Sequence, residues 1–113
     1  MKLSIGIDIE QSARFKRKNR SFLKKFLSER EIKAMNGYSA QRIAGIFCAK
    51  EAVIKACNQI QHLNFKNIEV LHDEYGSPSI KFKGCKKLDS ENIKISISHS
   101  SDYAVATAIL IIN

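Results

Sequence analysis

The sequence predicts an α+β fold in which an antiparallel sheet packs on a long central helix. Three observations predict it. The elements run as one strand, a block of helices, then four strands. The helical pattern from Ser39 to about Cys57 is apolar nearly all round, which places it in the interior. Finally, Ile93, Ile95 and Ile97 alternate strictly with Lys94, Ser96 and Ser98, the period of a half-buried strand. With 113 residues, one Pro and five Gly, the chain fits a single domain over 1–113.

Lys2 to Ile9 reads as the first strand, with Ile5, Ile7 and Ile9 alternating and Asp8 near its end. Gln11 to Asn19 is polar and basic and is expected to be helical. Phe22, Leu23 and Phe26 supply a small apolar anchor. Ser28 with Glu31 three residues later forms a capping box for a short helix to about Asn36, closed by Gly37. The central helix comes next, filled by Ile43, Ile46, Phe47, Val53, Ile54 and alanines. Asn64 to Leu71 reads as a strand, residues 73–78 as a turn, and Ser79 to Phe82 as a strand pairing back across it. Tyr103 to Ile112 is the last strand.

Nineteen Lys and Arg against eleven Asp and Glu give a net charge of +8. Residues 1–28 hold eight basic and two acidic side chains, so this quarter alone contributes +6. Such a patch points to an acidic partner: nucleic acid, an anionic cofactor, a membrane surface or an acidic protein. Cys48, Cys57 and Cys85 are an odd set without metal-ligand spacing, which fits a reducing cytosol. The apolar run Leu3 to Ile7 is too short for a signal peptide, and no stretch approaches the length of a membrane span.

Lys50, Glu51 and Lys55 are the only charges on the central helix after Arg42. Glu51 and Lys55 share a face and would form an ordinary surface pair on a surface helix. On a largely buried helix they point instead to ion or phosphate binding. Asp8 interrupts an apolar run. It either caps the helix after the strand or pairs with Glu51 as a two-carboxylate site for a hard cation such as Mg²⁺. Lys55 would then meet a phosphate oxygen. Ser96-Ile97-Ser98-His99-Ser100 offers a His among hydroxyls at a strand end. A Ser-His hydrolase is disfavoured without a G-x-S-x-G turn, and neither a P-loop nor a G-x-G-x-x-G is present. The basic run from Arg14 to Lys25 is a solvated face or a docking surface, and a polyanion-binding module without catalysis is the competing function class.

Three blocks together resemble a known family. They are Gly6-Ile7-Asp8-Ile9 with Arg14; Phe47-Cys48-Ala49-Lys50-Glu51-Ala52 with Lys55-Ala56; and Ile68-Glu69-Val70 through Asp73, Gly76 and Pro78, then Ser96-Ile97-Ser98-His99 and Tyr103-Ala104. The chain resembles the small holo-[acyl-carrier-protein] synthases, the short trimeric branch of the 4′-phosphopantetheinyl transferases. The resemblance implies a transferase fold of that type and transfer of the phosphopantetheine arm of coenzyme A to a serine of apo acyl carrier protein. It implies Mg²⁺ held by Asp8 and Glu51, with Lys55 neutralising phosphate charge and Glu51 or a water near it as base. It implies a coenzyme A site lined by Phe47, Lys50, Lys55, Gly76, Ser77, Pro78, Ser98 and His99, lying between subunits of a homotrimer. Arg14, Arg17, Arg20, Lys24 and Lys25 would face the carrier, which makes nucleic acid an unlikely partner. Two departures stand out. Ile46 occupies a position where many members carry Arg, and Cys57-Asn58-Gln59-Ile60 replaces a glycine-rich turn. Arg42 or Lys50 is expected to supply the missing cation.

Overall fold

The computed structural model describes residues 1–113. Strand β1 spans Lys2–Gln11 and leads into a 3-10 turn, Ser12–Phe15. Helices α1 (Arg20–Leu23), α2 (Glu29–Ala34) and α3 (Ala40–Cys57) come next. Strands β2 (Ile68–His72), β3 (Pro78–Phe82), β4 (Ile93–His99) and β5 (Tyr103–Ile112) complete the chain. The strands form two antiparallel units, a three-stranded sheet in the order β1-β5-β4 and a separate β2-β3 hairpin.

Side-chain size sets how the layers meet. β5 turns Ala104, Ala106, Ala108 and Leu110 inward, and α3 answers with Ala44, Ala49, Ala52 and Ala56, all buried. Small residues on both surfaces let helix and sheet approach closely. Gly6 makes the approach closest, since a Cβ there would lie 1.9 Å from the Ala52 carbonyl oxygen. A ring cluster of Phe15, Phe26, Phe47 and Phe65 closes one end of the core. No helix is long and apolar enough to cross a membrane.

β1 inverts the usual pattern. Its inner face is Ser4, Gly6, Asp8 and Glu10, whereas Leu3, Ile5, Ile7 and Ile9 point outward and are 55–67% exposed. The outer surface continues across Ile109 and Tyr103 of β5, which are also exposed. The strand therefore spends its inward positions on carboxylates and its outward ones on an apolar sheet face.

Two expected elements differ. Gln11–Asn19 is not a helix. β1 runs to Gln11, a short 3-10 turn comes after it, and Arg17 takes a φ of +55°, which no right-handed helix accepts. Asn19 then caps α1 by accepting from the Phe22 N–H at 2.9 Å. The strand expected from Asn64 begins only at Ile68, because Asn64 and Asn67 cap each other's backbone across a 3-10 turn.

Candidate active site

One face of α3 carries Cys48, Glu51 and Lys55, spaced three and four residues apart. Opposite it lie the inward carboxylates of β1. Lys55 Nζ donates to the Ile7 carbonyl at 2.9 Å and lies 3.5 Å from Asp8 Oδ1. Asp8 Oδ2 is buried and has no hydrogen-bond partner. Glu10 pairs with Arg14 at 2.6 Å, and Arg14 also lies over the Phe47 ring, 5.0 Å from its centre. Burial pushes the Glu10 carboxyl up, and the neighbouring Asp8 pushes it further. Cys48 donates to the Ala104 carbonyl at 3.3 Å. Burial, reinforced by Asp8 and Glu10, pushes its thiol up to about 12, so it stays protonated and unreactive.

Asp8 faces the helix between Cys48 and Lys55, the turn that carries Glu51. Glu51 is half-buried and takes part in none of the ion pairs. No group of three His, Cys, Asp or Glu side chains forms a ready-made metal cluster. The donor chemistry nonetheless suits a hard divalent cation. An orphaned buried carboxylate oxygen costs free energy unless something binds it, and Mg²⁺ is typically held by one or two carboxylates with substrate phosphates and water.

A cavity of about 740 Å³ opens beside the N-terminal half of α3. It is walled by α2, α3, β2, the turn after β2 and the end of β4, and is ringed by Arg30, Arg42, His72, Gly76 and His99. His99 Nε2 donates to the Gln41 carbonyl at 3.0 Å. The imidazole can rest there because residue 45 is glycine; a Cβ would come within 2.7 Å of Nε2. Arg42 is held by the Met35 carbonyl at 3.1 Å. Burial lowers the His72 pKa and the Arg42 charge lowers it further, so this imidazole is neutral near pH 7. Asp73 Oδ1 accepts from the N–H groups of Tyr75 and Ser77, both at 2.9 Å, and fixes the turn in which Gly76 has a φ of +82°.

The expected site residues thus divide. Asp8 and Lys55 meet at the C-terminal half of α3, Glu51 lies one turn before Lys55 on the same helix, and Gly76 and His99 both line the cavity. Ser77 and Pro78 belong to the turn and the start of β3 but do not line the cavity. Ser98 faces the opposite side of β4 from His99, paired with Val105 on the outer face. Phe47 lies in the aromatic cluster with Phe15, Phe26 and Phe65.

Lys50 is a correction. It is 1% exposed, and its ammonium donates to Glu31 Oε1 at 2.7 Å and to the Phe26 carbonyl at 2.6 Å. It is committed to the core and has no face toward a ligand. The cations that ring the cavity are Arg30 and Arg42.

The basic residues divide similarly. Arg14 is paired with Glu10, and Arg20 and Lys24 both with Glu29. Arg17 and Lys25 have no anionic partner. Glu10, Gly45 and His72 were not among the expected site residues. The period of two in β1 does place Glu10 on the face of Asp8, and that signal was available. Nothing local marks Gly45 or His72.

Residues 4–108 match the 4′-phosphopantetheinyl transferase superfamily. A holo-[acyl-carrier-protein] synthase of Oceanobacillus iheyensis is 40% identical, over 94% of this chain and 93% of its own length. Its counterpart in Caldicellulosiruptor saccharolyticus is also 40% identical, over 96% of each chain. Among solved structures, the Helicobacter pylori holo-[acyl-carrier-protein] synthase in complex with coenzyme A superposes with a TM-score of 0.80 at 34% identity, covering 95% of this chain and 99% of its own. The α+β framework, the inward carboxylates and these similarities agree: the chain belongs to the holo-[acyl-carrier-protein] synthases of the 4′-phosphopantetheinyl transferase superfamily.

Proposed function

We propose that the 113 residues act as one catalytic domain that moves the 4′-phosphopantetheine arm of coenzyme A to a serine of an apo acyl carrier protein, in the cytoplasmic route to fatty acids. The serine oxygen forms a bond to the phosphorus bearing the pantetheine. The bond from that phosphorus to the bridging pyrophosphate oxygen breaks, and adenosine 3′,5′-bisphosphate leaves. The observation that carries this reading is the pairing of Lys55 with an Asp8 whose second oxygen is buried and unpartnered, in a chain similar to an enzyme solved with coenzyme A.

The chain's own residues suit phosphoryl transfer, which needs positioning and charge neutralisation more than covalent help. Lys55 is half exposed and tethered only by a backbone carbonyl and Asp8, so its ammonium is able to turn to a phosphate oxygen. Asp8 and Glu51 would hold Mg²⁺. Bound there, the ion would supply electrostatic stabilisation to the pyrophosphate. Glu51, which makes no ion pair, would take the serine proton, directly or through a water. Arg42 and Arg30 are the cations offered to the remaining coenzyme A phosphates, in place of the arginine that Ile46 replaces. His99, seated against Gly45, would contact the nucleotide end.

A site shared between copies of the chain fits two observations. The cavity at Gly45 and the carboxylates at Lys55 are about 15 Å apart along α3. The outer face of β1 and β5 also exposes Ile5, Ile7, Ile9 and Ile109, a larger apolar face than a monomer usually leaves in water. We assign that face to a homotrimer.

Intact-mass analysis tests the reading. The protein is mixed with apo acyl carrier protein and coenzyme A, with Mg²⁺ or with EDTA. The expected result is a gain of one phosphopantetheine in Mg²⁺ only. Folded protein that modifies none of several carriers would sink it.

A further inference from the structure

The basic segment is held in a shape that its own residues do not favour. Arg17 adopts the left-handed region, with a φ of +55°, which is costly for any residue with a Cβ. A single side chain pins both flanks of this residue. The Tyr38 hydroxyl donates to the Phe15 carbonyl and accepts from the Lys18 backbone N–H at 2.9 Å. Tyr38 arrives from the loop between α2 and α3, so the bracket ties the turn at Lys16–Lys18 to the helical layer.

Beside the bracket lies a cleft of about 270 Å³. Leu23, Ile32 and Met35 line it, and Lys18, Arg20 and Tyr38 form its rim. The cations here are not equivalent. Arg20 is neutralised by Glu29, whereas Arg17 and Lys18 have no anionic partner. Lys18 is kept at the cleft by the Phe22 ring, with its ammonium 5.2 Å from the ring centre. An apolar cleft edged by the unpaired Lys18, with the unpaired Arg17 next to it in the chain, complements an acidic, amphipathic helix. One apolar side chain would enter the cleft while carboxylates meet Arg17 and Lys18.

We propose that Tyr38 is a positioning residue for the protein substrate: its hydroxyl clamps the Lys16–Lys18 turn so that Arg17 and Lys18 meet an acidic helix seated in the adjoining cleft. The proposal rests on the reading of the protein as a carrier-protein transferase. It goes further in assigning part of that recognition to the clamped turn.

The test is Tyr38→Phe, assayed once with carrier varied at saturating coenzyme A and once the other way round. The expected result is a rise in KM for the carrier of about 3- to 10-fold, the worth of the lost hydroxyl bonds. The kcat at saturating carrier and the KM for coenzyme A should stay near wild type, with the protein folded and its thermal midpoint lowered by no more than a few degrees. Because Tyr38 acts through the turn, Tyr38→Phe and Lys18→Gln should combine less than additively in carrier KM. An unchanged carrier KM overturns the clamp. So does an equal loss for both substrates with a lowered thermal midpoint, which would make Tyr38 a stability residue only. Titration of labelled apo carrier, without coenzyme A, separates the two readings. Binding without transfer defeats the enzyme assignment, and the clamp then stands or falls on the ratio of dissociation constants between wild type and Tyr38→Phe. Absence of binding defeats both.

Discussion

Helix α3 carries two lysine–carboxylate pairs five residues apart, and they have opposite characters. Lys50 and Glu31 are each 1% exposed at the side chain. Every polar atom of that pair is satisfied. Lys50 also donates to the Phe26 carbonyl, while Glu31 also accepts from the N–H groups of Ser28 and Val70 at 2.7 and 2.8 Å. The pair joins the start of α2, the middle of α3 and strand β2 at one point. Lys55 and Asp8 are 53% and 13% exposed, 3.5 Å apart, and Asp8 keeps one buried oxygen without a partner. The first pair is complete without a ligand and the second is not. Completeness of hydrogen bonding, more than charge or position in the motif, separates the pair closed to a ligand from the pair still open to one.

Removing Lys50 should give the largest effect, and on stability. Burial lowers the Lys50 pKa while Glu31 opposes that shift, so the two charges are maintained only together. Lys50→Met keeps most of the volume but strands the Glu31 carboxylate in the core. The expected loss is about 3–5 kcal/mol, read from urea unfolding with the wild-type slope. Adding Glu31→Leu should recover only part of it, because the Ser28 and Val70 N–H groups then lose their acceptor. A Lys50→Met protein as stable as wild type would erase the distinction between the pairs.

The complementary change is Lys55→Met. The exposed pair contributes little to folding, so stability should stay within about 1 kcal/mol of wild type. Activity should fall by about 10²–10³-fold, as expected when one preorganised charge is withdrawn from a transition state. Asp8→Asn sharpens the point. It preserves shape and removes the orphaned anion, so the fold should be as stable or slightly more so while transfer collapses. Denaturation and initial rates on the same preparations would check both. Loss of stability in step with loss of rate would mean that Asp8 and Lys55 are structural after all.

The sequence showed the residues of these pairs but not their pairing. Ser28 and Glu31 were legible as a capping box because the spacing is local, and the box is formed. That Glu31 also reaches Lys50 and Val70, 19 and 39 residues away, depends on packing that no local pattern encodes. Charges on an apolar helix are equally consistent with a ligand site and a buried pair, and Lys50 belongs to a buried pair. β1 teaches the same lesson. The alternation of Ile5, Ile7 and Ile9 announced a strand but not its facing, because period two marks two faces without saying which of them meets the helix. The basic run at 11–19 has helical composition, but its conformation is decided by Tyr38 and by the Asn19 cap on α1. Glu51 and Lys55 could be placed on one face of the helix early because their spacing is local, whereas the contact of Lys55 with Asp8 is made by packing between distant parts of the chain.

Glu69 offers the finest test, since it lies between the two cases. It is only 3% exposed, like Glu31, yet its cations stand at the rim, with Arg30 at 3.6 Å and Lys83 at 3.4 Å. Burial alone would raise its carboxyl pKa, but the Ser28 hydroxyl bond at 2.9 Å and the Lys83 and Arg30 charges outweigh it and leave the pKa below the usual value. A carboxyl lowered by folding binds its proton more tightly in the unfolded chain, so it stabilises the fold above the unfolded pKa of about 4.3. That contribution disappears as pH falls through the lower folded value. Glu69→Gln should therefore cost about 1 kcal/mol at pH 7, and the gap to wild type should close on acidification below about pH 4. Unfolding curves at a series of pH values, with salt raised in a second series, would measure it. Because Arg30 and Lys83 are solvated, salt should narrow the gap at pH 7, whereas the deficit of Lys50→Met, sealed in the core, should barely respond. Equal salt sensitivity in the two variants would remove the contrast between a rim-fed and a buried carboxylate.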